Sequence, residues 1–277
     1  MKVQALVKLT RPFMSTVAGL TSLSAYLSAS PRSGWAVHAP AIFAAASLTC
    51  AYGYIVNDYV DRNDDRRTHP QRALPQGLVS PPTALLLALS LAVVALAVSA
   101  TVSIGIAFID LLALGLLASY TPMKRINGFI ANIIAGSIYG LLVVFGMTAG
   151  QFRLPVAGVA LATTLVLVGR EIVLDVRDAE SDQLAGIRSI PVVRGVPAAF
   201  RWATWFFLLG SAALMVSGLQ FAEPFRALVL CTLVIILLWT GLIRYRSTLA
   251  PAEMERFRFL TQMAFFCVIA ILVFVRA

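Results

Sequence analysis

Nine long apolar segments run through this chain, and their length restricts the folds that it can adopt. A helix needs about 20 mostly apolar residues to cross the hydrocarbon core of a bilayer. The chain is 59% hydrophobic and only 13% charged, which is more apolar than an ordinary soluble domain. Long runs of Leu, Ala, Val and Ile, rather than short alternating strands, argue against a transmembrane barrel. The segments lie near residues 12–29, 36–57, 83–102, 104–120, 127–149, 154–175, 200–219, 224–243 and 257–275.

This pattern predicts an all-α, polytopic membrane protein with nine transmembrane helices bundled around a central cavity. We expect residues 1–277 to form a single membrane-embedded domain. The longer connections are expected to share one side of the membrane, and they are residues 58–82, 121–126, 176–199 and 244–256.

The basic residues indicate the orientation of the bundle. The net charge is +9, and eighteen of the 22 Lys and Arg residues fall on the side of the longer connections. Only four fall on the opposite side, namely Arg32, Arg153, Arg226 and Arg276. Because basic loops are retained in the cytoplasm, we predict a cytoplasmic N-terminus. The chain has no basic tail and no nucleic-acid motif, so we expect contact with membrane lipids and not with nucleic acid.

Two groups of aspartates share the spacing D-x-x-D-x-x-x-D, although the chain has only 13 acidic residues. Positions i, i+3 and i+7 lie on one face of a helix. Each group follows an apolar segment, so both are expected at the cytoplasmic surface. The first group is Asp58, Asp61 and Asp65, with Asn57 at its edge, and the second is Asp175, Asp178 and Asp182.

Two facing groups of carboxylates at a membrane surface suggest a substrate. Mg²⁺ prefers hard oxygen ligands and typically takes one or two carboxylates together with substrate phosphates. Neighbouring arginines and lysines would neutralise the remaining phosphate oxygens. A diphosphate held at the mouth of a helical bundle can carry a long apolar tail between the helices. The residues therefore favour a prenyl diphosphate, whose ionisation needs a neutralised leaving group and a site without water.

Four ordered motifs resemble those of the UbiA superfamily of intramembrane prenyltransferases. They are the aspartate motif at 57–65, the stretch Gln71-Arg72-Ala73-Leu74-Pro75-Gln76-Gly77, the loop Tyr120-Thr121-Pro122-Met123-Lys124-Arg125, and the segment 170–191 with the second aspartate motif. An arginine-proline pair, Arg11-Pro12, also matches the start of the first helix in that family. The resemblance covers essentially the whole chain, whereas any one motif alone would be a weak signal.

The resemblance implies a role for each matching position. Asn57, Asp58, Asp61 and Asp65 would anchor one Mg²⁺ ion and the diphosphate, and Asp175, Asp178 and Asp182 would anchor a second ion. The leaving diphosphate would be neutralised by Lys124, Arg72 and either Arg66 or Arg67. Tyr120, Asn132 and Tyr139 would face the cavity, where an aromatic ring can stabilise a developing allylic cation, and Arg11 would contact substrate. Catalysis would depend most directly on Asp61, Asp178, Lys124 and Tyr120.

Several positions depart from the family pattern and leave the acceptor open. Ala73 stands in place of a proline, and Leu78 and Leu174 stand in place of basic residues. In the second motif Ser181 replaces a usual glycine and Gln183 a usual basic residue. The second motif is nearer to the ether-lipid, homogentisate and menaquinone branches than to the 4-hydroxybenzoate branch.

The leading hypothesis is a magnesium-dependent prenyltransferase that moves a polyprenyl group from its diphosphate to an aromatic, quinone-precursor-like acceptor or to a lipid acceptor through an allylic cation. A membrane terpene cyclase of the same superfamily is the alternative. A transporter of divalent cations or lipids is a remote alternative. Transporter sites usually lie near the bilayer midplane, whereas these aspartates are expected at one surface. Two features allow two interpretations each: Asp110 is functional or is paired with a neighbouring helix, and Glu171 pairs with Arg170 or reaches the site.

Overall fold

The computed structural model describes residues 2–31 and 35–275, and the described part is helical without strands. The all-α prediction is confirmed. Arg32 and Arg276, which entered the count of basic residues, lie outside the described residues. Within those residues there are twelve helices: α1 (Lys2–Leu9), α2 (Pro12–Ala29), α3 (Trp35–Val60), α4 (Asp65–Thr68), α5 (Pro81–Val102), α6 (Ile104–Ile126), α7 (Gly128–Ala149), α8 (Leu154–Leu184), α9 (Ile190–Arg194), α10 (Val196–Leu219), α11 (Pro224–Thr248) and α12 (Pro251–Phe274).

Eight helices of the described part are long and apolar enough to cross a membrane. Helix α2, with 18 residues, is the ninth long helix but is not among these eight, because Ser and Thr residues dilute its apolar surface. Two of its buried hydroxyls are satisfied inside the bundle: Thr21 donates to the carbonyl oxygen of Val17, and Ser22 donates to that of Leu142. The number nine and the cytoplasmic N-terminus therefore stay predictions.

Several helices continue beyond the apolar segments that revealed them. Helices α3, α6 and α8 end at Val60, Ile126 and Leu184 rather than near residues 57, 120 and 175, and α12 begins at Pro251 rather than near residue 257. A hydropathy run ends at the first charges, whereas a helix continues for as long as its backbone hydrogen bonds are made. Because successive long helices run in opposite directions, these extensions all lie at one end of the bundle, which carries both aspartate motifs.

Six helices surround a central cavity of about 510 Å³, and they are α2, α3, α6, α7, α8 and α12. The ring closes where α12 packs against α2, and the other long helices pack outside it: α5 on α3 and α6, α10 on α8, and α11 on α12 and α10. The cavity lies within the membrane-spanning part of the bundle and opens towards the end that carries the aspartates.

Small residues let the helices approach closely at two crossings. At the crossing of α2 and α7, a Cβ atom added to Gly146 would overlap the carbonyl oxygen of Ser22. Between α7 and α8, a Cβ atom on Gly136 would lie 2.6 Å from the carbonyl oxygen of Thr164. Such contacts between small residues replace hydrophobic driving force in a membrane, where lipid tails are as apolar as the helices.

Asp110 on α6 pairs with two neighbouring helices. The Thr49 hydroxyl of α3 donates to Asp110 Oδ1 at 2.6 Å, and the Ser99 hydroxyl of α5 donates to Oδ2 at 2.8 Å. Both carboxyl oxygens are therefore satisfied, and the side chain joins three helices. Of the two interpretations that the sequence allowed, pairing with neighbouring helices is the one that the geometry shows.

The substitution Gly146→Ala is expected to destabilise the bundle by about 1–3 kcal/mol, because α2 and α7 must separate to admit the methyl group. Gly115→Ala is the matched control, since a Cβ atom on Gly115 in α6 meets no atom within 4 Å. Thermal unfolding in detergent should show a lower midpoint for Gly146→Ala and an unchanged or higher one for Gly115→Ala. Equal midpoints for the two variants would contradict this account of the α2–α7 contact.

Candidate functional site

The first aspartate motif continues the helical register of α3 beyond the end of that helix. Asn57 and Asp58 lie in its last turn, Asp61 follows it, and Asp65 begins the short helix α4. The backbone N–H of Asp61 donates to the carbonyl oxygen of Asn57, and that of Asp65 donates to the carbonyl oxygen of Asp61, both at 2.9 Å. These i to i+4 bonds keep the three carboxyl groups on one side, as the spacing predicted.

Arginines join the carboxyl groups of the first motif. Arg72 Nη1 lies 2.7 Å from Asp65 Oδ2 and 3.2 Å from Asp58 Oδ1, so one guanidinium bridges two acids. Arg11 Nη2 lies 3.1 Å from the same Asp58 oxygen. The Arg11 guanidinium also stacks over the ring of Tyr54, 4.4 Å from its centroid, which fixes a flexible cation beside the motif.

Asp61 is the least neutralised acid of this motif. Its Oδ1 lies 4.0 Å from Arg125 Nη2, whereas that nitrogen makes a closer contact of 2.8 Å with Asp64. Burial raises the pKa of Asp61 to about 6, and the neighbouring Asp65 carboxylate adds to the shift. A divalent cation would favour the ionised form and lower this pKa again.

The second motif lies on one face of α8, which is continuous from Leu154 to Leu184. Lys124 Nζ, at the end of α6, lies 3.7 Å from Asp175 Oδ1 and 3.6 Å from Asp182 Oδ1. The side-chain amide of Asn132 on α7 donates to Asp175 Oδ2 at 2.8 Å. Asp182 Oδ2 is buried, and no residue of the described part donates a well-formed hydrogen bond to it.

Asp178 differs from its two neighbours in the motif. About a third of its side chain is exposed, and the Arg177 guanidinium holds both carboxyl oxygens, with Nε to Oδ1 at 2.6 Å and Nη2 to Oδ2 at 2.7 Å. This bidentate pair lies at the surface, where water and salt weaken ion pairs. Asp178 can therefore exchange its partner for a metal ion at little cost.

The acids fit magnesium that is shared with a substrate. Among the described residues, no three His, Cys, Asp or Glu side chains lie close enough to hold a metal ion on their own. Mg²⁺ does not require such a cage, because it commonly takes one or two carboxylates, phosphate oxygens and water. The buried Asp182 oxygen without a donor and the weakly neutralised Asp61 are suited to such a shared ion.

The cavity begins directly beneath the two motifs. Asn57, Tyr120 and Tyr139 line it, and Tyr139 makes an edge-to-face contact with Phe265 at a centroid distance of 5.8 Å. On α3 the lining extends from Asn57 down to Ala46, a distance of about 16 Å at the usual helical rise. Below its mouth the wall is largely apolar, which suits a hydrocarbon chain attached to an anionic head at the motifs.

The structure brings together most of the residues that the sequence indicated, with two exceptions. The cavity mouth and its surroundings contain both aspartate motifs together with Asn57, Arg72, Lys124, Tyr120, Asn132, Tyr139 and Arg11. Arg66 and Arg67 are exposed on α4, and 84% of the Arg67 side chain is accessible. Arg125, which was not among the predicted site residues, pairs with Asp64 and lies 4.0 Å from Asp61.

Sequence reasoning missed several polar residues of the cavity wall. Tyr54 and, on α12, Glu255, Arg258 and Gln262 all line the cavity. The α12 residues recur at i, i+3 and i+7, the spacing that revealed the aspartate motifs, so a signal for them was present. The sequence allowed Glu171 either to pair with Arg170 or to reach the site. The structure shows both, because Glu171 Oε1 lies 2.7 Å from Arg170 Nη1 and both residues line the cavity.

Comparisons with known proteins agree with this geometry. Residues 15–269 match the model of the UbiA prenyltransferase family. A digeranylgeranylglyceryl phosphate synthase of Halobacterium salinarum is 36% identical over 217 residues, 76% of each chain. One of Thermococcus gammatolerans is 32% identical over 207 residues, 74% of this chain and 75% of the relative.

Two solved structures share the fold over almost the whole length of both chains. One is described as digeranylgeranylglyceryl phosphate synthase, with a TM-score of 0.78, 23% identity and coverage of 98% of this chain and 99% of the other. The second is a UbiA homolog from Archaeoglobus fulgidus bound to GPP and Mg²⁺, with a TM-score of 0.76, 18% identity and coverage of 97% and 99%.

Because Arg72 bridges Asp58 and Asp65, we expect the stability of a variant that lacks this arginine to depend on metal. Arg72→Gln leaves Asp58 and Asp65 to repel one another, which should lower the stability of the metal-free protein by about 1–2 kcal/mol, given partial exposure to solvent. Added Mg²⁺ should restore more stability in this variant than in the wild type, because the ion replaces the lost positive charge.

Thermal unfolding with EDTA and with Mg²⁺ measures both effects. Arg201→Gln, which changes an exposed arginine at the start of α10, controls for the loss of one positive charge. An Arg72→Gln variant that behaves like Arg201→Gln in both buffers would contradict the bridging role.

Proposed function

This chain belongs to the UbiA prenyltransferase family, and from that premise we propose that it joins a prenyl group from a diphosphate donor to the hydroxyl of a glyceryl phosphate lipid, with Mg²⁺ as its cofactor. It is an integral membrane protein and an intramembrane prenyltransferase. The donor, the acceptor and the roles of individual residues are parts of the proposal, as is a single domain over residues 1–277.

One observation carries the proposal: two groups of carboxylates and their cations lie at the mouth of a deep apolar cavity. Lys124 and Arg125 are adjacent at the end of α6, and they contact the second and the first aspartate motif respectively. A diphosphate between the motifs would meet positive charge from both sides, and its hydrocarbon tail would extend into the cavity. Because lipid tails are as apolar as the cavity wall, van der Waals packing rather than exclusion from water holds the tail there.

The metal sites follow from the same acids. Asp58, Asp61 and Asp65, with Asn57, would hold one Mg²⁺ ion, and Asp175, Asp178 and Asp182 would hold a second. The Archaeoglobus fulgidus homolog bound to GPP and Mg²⁺ supports a divalent metal and a prenyl diphosphate. When bound, Mg²⁺ neutralises the diphosphate and so makes it a better leaving group.

The chain's own side chains bind the diphosphate, exclude water and accept the proton. Arg72 and Lys124 exchange carboxylate oxygens for phosphate oxygens and hold the leaving diphosphate. The rings of Tyr120 and Tyr139 line the cavity next to the motifs, where they exclude water and stabilise the allylic cation. The C–O bond to diphosphate breaks to give the allylic cation, and the acceptor oxygen then bonds to the allylic carbon. Its proton then leaves to a carboxylate such as Glu171, which lines the same cavity.

A lipid acceptor is favoured over an aromatic one by the relatives. The Halobacterium and Thermococcus proteins, 36% and 32% identical to this chain, are both digeranylgeranylglyceryl phosphate synthases. That name describes a glyceryl phosphate carrying two geranylgeranyl groups, so the corresponding acceptor is geranylgeranylglyceryl phosphate. The basic side chains of the motif-bearing end support a site at the cytoplasmic face of the cell membrane.

Mass spectrometry of products from protein in nanodiscs tests this function. Geranylgeranyl diphosphate is supplied with Mg²⁺ or EDTA, and with geranylgeranylglyceryl phosphate, a quinone-precursor aromatic acid, or no acceptor. We expect a magnesium-dependent ether product whose mass exceeds that of the lipid by one geranylgeranyl group. A product with the aromatic acid alone would overturn the lipid acceptor, and a cyclic hydrocarbon without acceptor would indicate a terpene cyclase.

The two motifs predict which acids are required. Asp61→Ala and Asp178→Ala are each expected to lower turnover more than about 100-fold with the fold intact, because the diphosphate loses neutralising metal. Glu180→Ala removes an exposed acid of α8 between the last two aspartates of the motif and should retain activity. Initial rates and thermal unfolding of the three variants are compared with the wild type. Full turnover in both aspartate variants would refute the metal roles.

A further inference from the structure

One wall of the cavity carries charges that the aspartate motifs do not use. It is formed by α8 and α12 and contains Arg170, Glu171, Glu255 and Arg258. Arg170 and Glu171 lie within the bundle, where ionisable side chains are expensive to bury and usually have a function, whereas Glu255 and Arg258 are partly exposed at its motif-bearing end. The metal and diphosphate sites described above involve other helices, or other positions of α8, so this wall needs its own explanation.

Arg170 holds the wall together through two of its guanidinium nitrogens. Its Nη1 pairs with Glu171 Oε1 at 2.7 Å, and its Nε donates to the Thr261 hydroxyl at 3.2 Å. The Thr261 hydroxyl in turn donates to the carbonyl oxygen of Arg258, at 3.0 Å. This chain of contacts joins α8 to α12 one turn after Arg258 and fixes the backbone that carries that residue.

Arg258 is held much less firmly than Arg170. One nitrogen, Nη1, contacts both carboxyl oxygens of Glu255, at 2.9 and 3.1 Å. About two thirds of the Glu255 side chain and nearly half of the Arg258 side chain are exposed. Exposed pairs of this kind contribute little to stability, so another anion can displace Glu255 from the guanidinium.

We propose that Arg258 binds the phosphate of the acceptor lipid, with Gln262 as a second donor, so that the α8–α12 wall is the acceptor subsite. This inference rests on the proposed function, in which the reaction brings two anionic groups into one cavity. The donor diphosphate takes the cations of the motifs, Arg72 and Lys124. The acceptor phosphate then requires a cation outside the motifs that lines the same cavity, and Arg258 meets that requirement.

The neighbours of Arg258 suit the rest of such a lipid. Gln262 lies one turn further along α12 and also lines the cavity, followed by Phe265 and Phe266. The helix therefore presents a polar segment near the mouth and an aromatic segment below it, which matches a phosphate head with an apolar tail. Guanidinium groups bind phosphate through paired, charge-assisted hydrogen bonds, which a carboxylate partner such as Glu255 already mimics.

Steady-state kinetics of Arg258→Gln test the proposal. We expect the KM for geranylgeranylglyceryl phosphate to rise about tenfold or more, with the donor KM unchanged. Arg256→Gln is the matched control, because Arg256 is an exposed arginine of the same helix turn that pairs with Glu253 at 2.6 Å and does not line the cavity. Glu255→Gln should lower the acceptor KM, since it removes the anion that competes for Arg258.

A second acceptor separates phosphate recognition from a structural effect. With geranylgeranylglycerol, which lacks the phosphate, Arg258→Gln and the wild type should have the same KM. Equal loss with both acceptors, or a lower thermal midpoint together with a higher donor KM, would assign Arg258 a structural role and overturn the proposal.

Measuring the binding of the acceptor lipid directly distinguishes failure of the acceptor subsite from failure of the proposed function. The acceptor lipid should raise the thermal midpoint of the wild type and of Arg256→Gln, and raise that of Arg258→Gln much less. If the wild type forms the ether product but all three proteins respond equally to the lipid, only the acceptor subsite is refuted. If the wild type neither binds this lipid nor forms product with it, the lipid acceptor itself is refuted.

Discussion

Repulsion among six carboxyl groups at one end of a helical bundle is the constraint on which the site depends. Like charges held within a few ångströms on partly buried side chains destabilise the fold unless cations lie between them. Arg72 bridges two acids of the first motif, and Lys124 lies between two acids of the second. Consecutive residues on a helix point about 100° apart, so Lys124 and Arg125 can each serve a different motif from the same end of α6. One helix end thereby couples the two halves of the site.

The same contacts explain why the acids do not form a closed metal cage. Each bridging cation occupies oxygen atoms that a metal ion would use, and each can transfer to a phosphate oxygen when substrate and metal arrive. In the proposed complex the metal ions would bring positive charge to the acids as the arginine and lysine shift towards the negatively charged diphosphate, so the acids would stay compensated. A cage of three carboxylates would bind metal without substrate, whereas this arrangement favours metal and diphosphate together.

Periodicity predicted the parts of the site that lie within single helices. The spacing of Asp175, Asp178 and Asp182 was sufficient because α8 remains helical to Leu184. Hydropathy located the long helices but made several of them too short. An apolar segment ends at the first charged residue, whereas the helix continues past it. Helix α2 matches its predicted bounds of 12–29, although its Ser and Thr residues make it less apolar than the other long helices. The Arg170–Thr261 contact joins residues 91 positions apart, and no local pattern indicates which helices will meet. The spacing of Glu255, Arg258 and Gln262 was present in the sequence, but only the folded structure shows that this face of α12 lines the cavity beside α8.

The Asp110 contact shows how an acid can line a cavity meant for hydrocarbon. Asp110 and Thr49 both border the lower part of the cavity, where an unpaired polar atom would oppose the binding of an apolar tail. Because Thr49 and Ser99 donate to separate carboxyl oxygens, neither oxygen of Asp110 faces the tail without a hydrogen bond. The contact also joins α3, α5 and α6 on the side opposite the α8–α12 wall. The donor tail would therefore meet a largely apolar wall in which the Asp110 carboxyl group is satisfied by hydrogen bonds, while the charges near the mouth on α12 stay exchangeable.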